Sequence, residues 1–532
     1  MQTNRLLVLA IDAASAPLLR SWASDGTLPN IAALMADGLV GDTRNVEGLY
    51  VGATWPSFST GLNPGAHGVY WIDVVKPHAY EMGRCTAEDL ARQKTLWEVL
   101  GDAGRRVMVL DVPLSRLSPG LNGQQVVEWG THDPLFGFQA SSRRLRRRLL
   151  DSVGAHPAPR ICDVPHRTPA EYRRFTDQLI AGAALRARWT RELLQEEPWD
   201  FAIQVFSEAH CAGHQLWHMH DTAHPGFDPE AARDGGDPVR EVYRAIDAAI
   251  GEVVRAQDAG TTIVLLALHG MTRMFGYHYL TPEILLRLGV MARASSAAPG
   301  TGGGGRPAGF LRRTYRRLPE RLRRPLYDLR QHILQRGLGH GVPFDLDPER
   351  SRCFDVGLGP TVSAIRFNLK GREPSGTLTP GEEADRFAEE LGRSFLELVD
   401  PDTGQPLVRR VMRSAEHFHG PWLEELPDLL IEWDEAPAVG STTVGTGRGA
   451  VLRAHSERLG SLEYLNTYGR SGDHQIGGMF IARGPGIAPG VMGRTVSTLD
   501  LAPTFARMLG AAMQNVDGAP IGELLDSRAP TP

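Results

Sequence analysis

Short apolar runs recur along the chain between longer stretches in which apolar residues return every three to four positions. The runs are Leu6–Ile11, Val107–Val112, Phe201–Phe206, Ile263–Leu268, Leu429–Trp433 and Met479–Ala482. Each is too short for a buried helix and is bounded by turn residues, which predicts strands. Residues 171–195 and 238–256 carry helical spacing. Alternation of such helices with buried strands predicts an α/β fold, a mostly parallel sheet between two layers of helices. In sheets of this kind ligands collect beyond the carboxyl ends of the strands. Asp12, Ser207, Glu208 and His269 all fall at such ends.

One stretch breaks the pattern. Between Ala292 and Gly305 the chain reads SSAAPGTGGGG, which can neither fill a core nor hold a helix. Behind it, Arg306–Arg336 carries ten Arg against Glu320 and Asp328, punctuated by Pro319 and Pro325. A solvated surface insertion is the simpler reading of this charge run, and a lid over an anionic substrate or a nucleic acid the sharper one. The expected organisation is a catalytic domain made of residues 1–287 and 346–532, interrupted by a Gly-rich then Arg-rich insertion at 288–345.

Composition narrows the class. With 532 residues and 42% hydrophobic content the chain can bury a large core, and its 57 basic against 62 acidic residues give a formal charge of −5. That balance argues against a protein coated with nucleic acid. No run approaches the length of a membrane span, so no membrane partner is expected, and Leu6–Ile11 reads as a first buried strand instead of a signal segment. Cys85, Cys162, Cys211 and Cys353 lack CxxC spacing. This argues against a zinc ribbon or a disulfide framework and suggests a reducing cytoplasm.

The segment 207–214, SEAHCAGH, follows a predicted strand and sets His210 and His214 four apart. On a helix that spacing puts both imidazoles on one face, close enough to share an ion. Asp12 ends the first strand, ALHGM puts His269 at the end of another, and SGDHQIGGMFIARGPGI puts His474 before a late one.

Together with ATWPSFSTGLNPGAHG at 53–68, LPDLLIEW at 426–433 and STLDLAPTFARMLG at 497–510, these motifs resemble the alkaline phosphatase superfamily, in its type I phosphodiesterase and nucleotide pyrophosphatase branch. The resemblance implies a three-layer αβα sandwich with an irregular insertion and a metal-dependent hydrolase of phosphodiester or pyrophosphate bonds. It also implies a nucleophile at Thr54, followed by Trp55 and Pro56, where free backbone N–H groups at a helix start suit a phosphoryl oxygen. Ser57 and Ser59 are rival hydroxyls. The implied cycle is attack by Thr54, a phospho-threonine intermediate and metal-assisted hydrolysis.

The sequence departs from the family's ligand pattern at two positions. One metal set becomes His210, His214 and His474, because His210 stands where the family has Asp. The other becomes Asp12, Thr54 and His269, because Leu268 stands where the family has a second Asp. Zn2+, as one or two ions, suits the three imidazoles, while the set with a single carboxylate should bind more weakly. Glu208 and Asp473 are possible additional ligands. The expected substrate is a small phosphate-containing anion. Alternatives on the same scaffold are sulfate-ester or phosphonate hydrolysis, or a non-hydrolytic binding homologue.

Overall fold

The computed structural model describes residues 5–159, 162–230, 236–294 and 342–525. Residues 295–341, nearly all of the expected insertion, lie outside the described residues.

Nine strands position the site: β1 (Arg5–Ile11), β2 (Leu39–Arg44), β3 (Val107–Leu110), β4 (Gly123–Val127), β5 (Phe201–Phe206), β6 (Thr261–Ala267), β7 (Gly270–Arg273), β8 (Gly472–Gln475) and β9 (Gly477–Arg483). The central sheet runs β2-β9-β6-β1-β5-β3-β4, with short edge strands beyond both ends. β1 is parallel to β5 and β6, and β3 is parallel to β5 and β4, whereas β9 is antiparallel to both β2 and β6.

Alternation along β1 divides the core. Leu7, Leu9 and Ile11 pack into one apolar cluster, and Leu6, Val8 and Ala10 into another, as the two-residue period of a strand requires. Helices cover both faces, so the molecule is a three-layer αβα sandwich. On the first face lie α2 (Pro169–Glu196), α3 (Glu208–His220) and α4 (Pro238–Arg255); the short α1 (Thr54–Thr60) lies on the second. A Thr168–Glu171 capping box and Pro169 start α2, and Asp237 caps α4 just before Pro238, both standard helix-start chemistry.

The run Leu429–Trp433 departs from the expected sheet. It joins a separate four-stranded antiparallel sheet with Cys353–Asp355, Val362–Phe367 and Val408–Arg413, covered by the helix Glu382–Leu396. A continuous apolar run reports burial on both faces, and burial alone does not say which sheet provides it.

Two glycines bring α3 against the β7–β8 ribbon. A Cβ at Gly213 would lie 2.4 Å from Met271 Cγ, and one at Gly472 would lie 2.3 Å from the Gly213 carbonyl oxygen. Only glycine permits this approach. It sets His214 beside the strand that carries His474.

Candidate metal centre and nucleophile

Asp12 follows β1 and its N–H donates to the Phe206 carbonyl at the end of β5. That places it beside the first turn of α3, where its Oδ2 lies 2.6 Å from His210 Nδ1. Its other oxygen accepts the Trp55 indole N–H at 2.9 Å. Burial opposes the ionised carboxyl, but the charge and hydrogen bond of His210, the charge of His269 and the Trp55 indole outweigh it and hold Asp12 at about 2.

The His210 ring therefore turns its Nε2 away from Asp12, to 3.0 Å from His214 Nε2. The Nδ1 of His214 is 2.8 Å from the Gly472 carbonyl, which makes that nitrogen the N–H donor. Two imidazoles whose Nδ1 protons are engaged elsewhere thus face each other through acceptor nitrogens. The Arg470 guanidinium lies 2.9 Å from the same His214 Nε2 and donates to it, so an ion shared by the two rings would displace that donor.

His269 and His474 complete the cluster. The His474 ring centroid lies 4.8 Å from that of His210 and 4.9 Å from those of His214 and His269. Among the described residues neither ring nitrogen of His269 has a hydrogen-bond partner, nor has Nδ1 of His474, although both rings are buried. Burial holds His269 at about 4 against the pull of Asp12. Burial, reinforced by Arg470 and neighbouring imidazoles, holds His214 and His474 well below the usual histidine range. The orphaned nitrogens of His269 and His474, beside His132, His210 and His214, whose ligand atoms lie within 4.8 Å of one another, fit a divalent cation.

Thr54 is the first residue of α1 and is buried. Its hydroxyl donates to the Tyr50 carbonyl and accepts from Asn45 Nδ2 at 2.6 Å. The same Asn45 amide reaches the Leu268 carbonyl at 3.4 Å, one residue before His269. The rival hydroxyls are committed to the scaffold: Ser57 Oγ lies 2.9 Å from His67 Nε2, and Ser59 donates to the Pro56 carbonyl.

The two extra carboxylates stand apart from the imidazoles. Glu208 Oε1 lies 2.7 Å from Arg186 Nε and 3.0 Å from His156 Nε2. Asp473 neighbours His474 on β8, so strand alternation sends the two side chains to opposite faces. Burial pushes its carboxyl up to about 6 despite the charge of Arg470. Leu268 is buried within the apolar cluster beneath α1.

Three groups escaped the sequence reading. Asn45 is one. Arg470 is the second: its guanidinium contacts Asp163 Oδ2 at 2.7 Å and His214 Nε2 at 2.9 Å, a fixed cation beside the cluster. His132 is the third, its ring centroid 4.1 Å from that of His210. Each also makes a contact far away in sequence: Asn45 with Leu268, Arg470 with His214 and His132 with His210.

The model of the type I phosphodiesterase / nucleotide pyrophosphatase family matches residues 6–442. The chain belongs to that family. It is accordingly a phosphoester hydrolase of a metal-dependent group. Among solved structures it is similar to phosphonoacetate hydrolase from Sinorhizobium meliloti, at 14% identity over 96% of each chain with a TM-score of 0.50. It is also similar to murine ectonucleotide pyrophosphatase / phosphodiesterase 5, at 10% identity over 97% of this chain and 98% of that one, TM-score 0.48. The human protein of that name gives 10% identity, 97% of each chain and 0.48. No curated protein matches the chain. No helix among the described residues of this phosphodiesterase-family protein is long and apolar enough to cross a membrane.

Proposed function

We propose that this family member cleaves phosphodiester or pyrophosphate bonds of a small anionic substrate through Thr54, with an altered metal site. The observation that carries the reading is a set of three hydrogen bonds around the consecutive residues Thr54 and Trp55. Asn45 links the Thr54 hydroxyl to the carbonyl of Leu268, next to His269, and the Trp55 indole binds Asp12. The start of α1 is thereby tied to both sides of the imidazole cluster.

His210, His214 and His474 would hold one ion, zinc by the chemistry of three neutral imidazoles, and Asp12, Thr54 and His269 a second, weaker one. A divalent cation there favours ionisation of an adjacent hydroxyl and stabilises charge on a leaving oxygen. Asp12 orients His210 through Nδ1, and the Gly472 carbonyl orients His214. Thr54 Oγ forms the new bond to phosphorus as the bond to the leaving oxygen breaks, and water then cleaves the phospho-threonine to release the second product. Arg470 adds a fixed positive charge beside His214, where one carboxylate of the family pattern is replaced by His210. A charge-poor ligand set next to a guanidinium favours an anionic substrate. We place the catalytic domain in residues 1–287 and 346–532 and assign the protein to the cytoplasm, from its unpaired cysteines.

The test combines elemental analysis of protein purified without chelators with matched chromogenic phosphomonoester, phosphodiester, phosphonate and sulfate substrates. The proposal expects bound zinc, fastest cleavage of the diester, and a Thr54→Ala variant that keeps its metal and loses turnover. Unchanged turnover in Thr54→Ala removes that hydroxyl from the chemistry; a preference for sulfate or phosphonate overturns the substrate class.

A further inference from the structure

Beside His210 lies a second group of metal-ligating atoms, which shares His132 with the His132, His210 and His214 group and adds two thiols that the hydrolytic site does not use. His132, Cys162 and Cys211 come from three separate segments: the loop after β4, the stretch before α2, and the first turn of α3. His132 Nδ1 is 3.1 Å from Cys162 Sγ and 3.4 Å from Cys211 Sγ. All three side chains are buried and one atom from each lies within 4.8 Å of the others.

The Cys211 separation matches that of ligands around one ion and the Cys162 separation is somewhat shorter. Metal–sulfur bonds of ~2.3 Å and metal–nitrogen bonds of ~2.0–2.1 Å in a tetrahedron set sulfur-to-nitrogen edges of about 3.5 Å. A second observation points the same way. His132 Nε2 lies 3.1 Å from Asp133 Oδ2, closer than the 3.4 Å to Arg470 Nη2, a carboxylate–histidine pairing that favours the proton on Nε2 and leaves Nδ1 as the metal-binding nitrogen. The loop that carries His132 is held in shape, because Glu128 accepts backbone N–H groups from Leu135 and Phe136, and Asp111 accepts those of Trp129 and Gly130.

We propose that His132 Nδ1, Cys162 Sγ and Cys211 Sγ form a site for one thiophilic divalent cation, zinc by its ligand chemistry, next to the imidazole centre and distinct from it by its thiolate ligands. Binding replaces two thiol protons, which pass to solvent, so two thiolates balance the charge of the ion. The site pins the first turn of α3, the helix that carries His210 and His214, to the loop holding His132. The cysteines lack any zinc-motif spacing in the sequence, and the fold alone unites two of them.

Cobalt substitution tests this without relying on activity. Wild-type protein loaded with Co2+ should show a thiolate-to-cobalt charge-transfer band in the near ultraviolet, absent from the Cys162→Ser/Cys211→Ser variant. Zinc-loaded wild type should hold one ion per chain more than that variant. A saturated cobalt spectrum with only nitrogen and oxygen ligation overturns the proposal, as does a band that survives the double substitution. The wild-type spectrum decides the matter even if the variant does not fold. Thiol titration of denatured, unreduced protein should find all four cysteines free; two fewer would show a Cys162–Cys211 disulfide in place of a metal site and would also overturn it.

Discussion

Replacing Arg186 by Met tests how α3 is held in register with the sheet. Arg186 is about 1% exposed and donates to Asp111 Oδ2 at 2.6 Å, Glu208 Oε1 at 2.7 Å and the Gly130 carbonyl at 2.7 Å. Methionine fills the volume but leaves two buried carboxylates without their cation. Breaking a buried pair from one side costs about 3–5 kcal/mol. Here the loss should sit near the lower bound, because Asp111 keeps the N–H groups of Trp129 and Gly130, and Glu208 keeps His156. Urea unfolding read by circular dichroism should show a destabilisation of about 3 kcal/mol. Adding Glu208→Gln should recover at least ~1 kcal/mol, since contacting residues do not add independently. Bound metal should fall in the single variant, because Glu208 opens the helix that carries His210 and His214. A loss under ~1 kcal/mol, the range of an exposed pair, or no recovery in the double variant, would refute the anchoring role.

Other expectations follow from the same geometry. Asn45→Ala removes one hydrogen bond to Thr54, worth ~0.5–1.5 kcal/mol. It should lower kcat by about two- to tenfold with little change in KM; an unchanged kcat in steady-state assays would show that Asn45 does not position the hydroxyl. Ser57→Ala should leave kcat intact and cost only stability through His67, so a large fall in kcat would make Ser57 the nucleophile to pursue. Acidification should weaken the metal-free fold in two stages. His269 binds its proton at about 4 in the fold instead of 6.5. The unfolded chain therefore gains protons first, and stability declines as pH falls from about 6.5 toward 4. Asp12, lowered from 3.8 to about 2, contributes stability present above 3.8 and lost as pH falls through 2. Thermal melts of metal-free protein that stay flat from pH 7 to 4 would contradict the buried neutral imidazoles.

Much of this was legible in the chain. Five of the six apolar runs lie in the central sheet, and residues 171–195 and 238–256 fall within or beside α2 and α4. Helical spacing predicted that His210 and His214 share a face, and their Nε2 atoms meet. The sixth run, Leu429–Trp433, went to another sheet because hydrophobicity encodes burial, not partnership. β2 escaped notice because LVGDTR is interrupted by Gly41 and by charges that its edge-ward position tolerates. Asn45, His132 and Arg470 were invisible for a different reason. Their roles rest on contacts that local spacing does not announce, His132 and Arg470 reaching across tens to hundreds of residues and Asn45 joining Thr54, nine residues on, to distant Leu268. The same holds for Cys211, which helical geometry places off the His210 face but which the loop carrying His132 reaches from the other side.

The central claim is that Thr54 forms a covalent bond to phosphorus beside the imidazole cluster. Acid-quenched single turnover of a diester, followed by mass spectrometry of the peptide spanning residues 45–60, tests it most directly. The account predicts a phosphoryl-bearing adduct on Thr54 that appears and decays at the turnover rate, with overall retention of configuration at phosphorus. Turnover with inversion and no protein-bound adduct would mean that water attacks the substrate directly, and would contradict it.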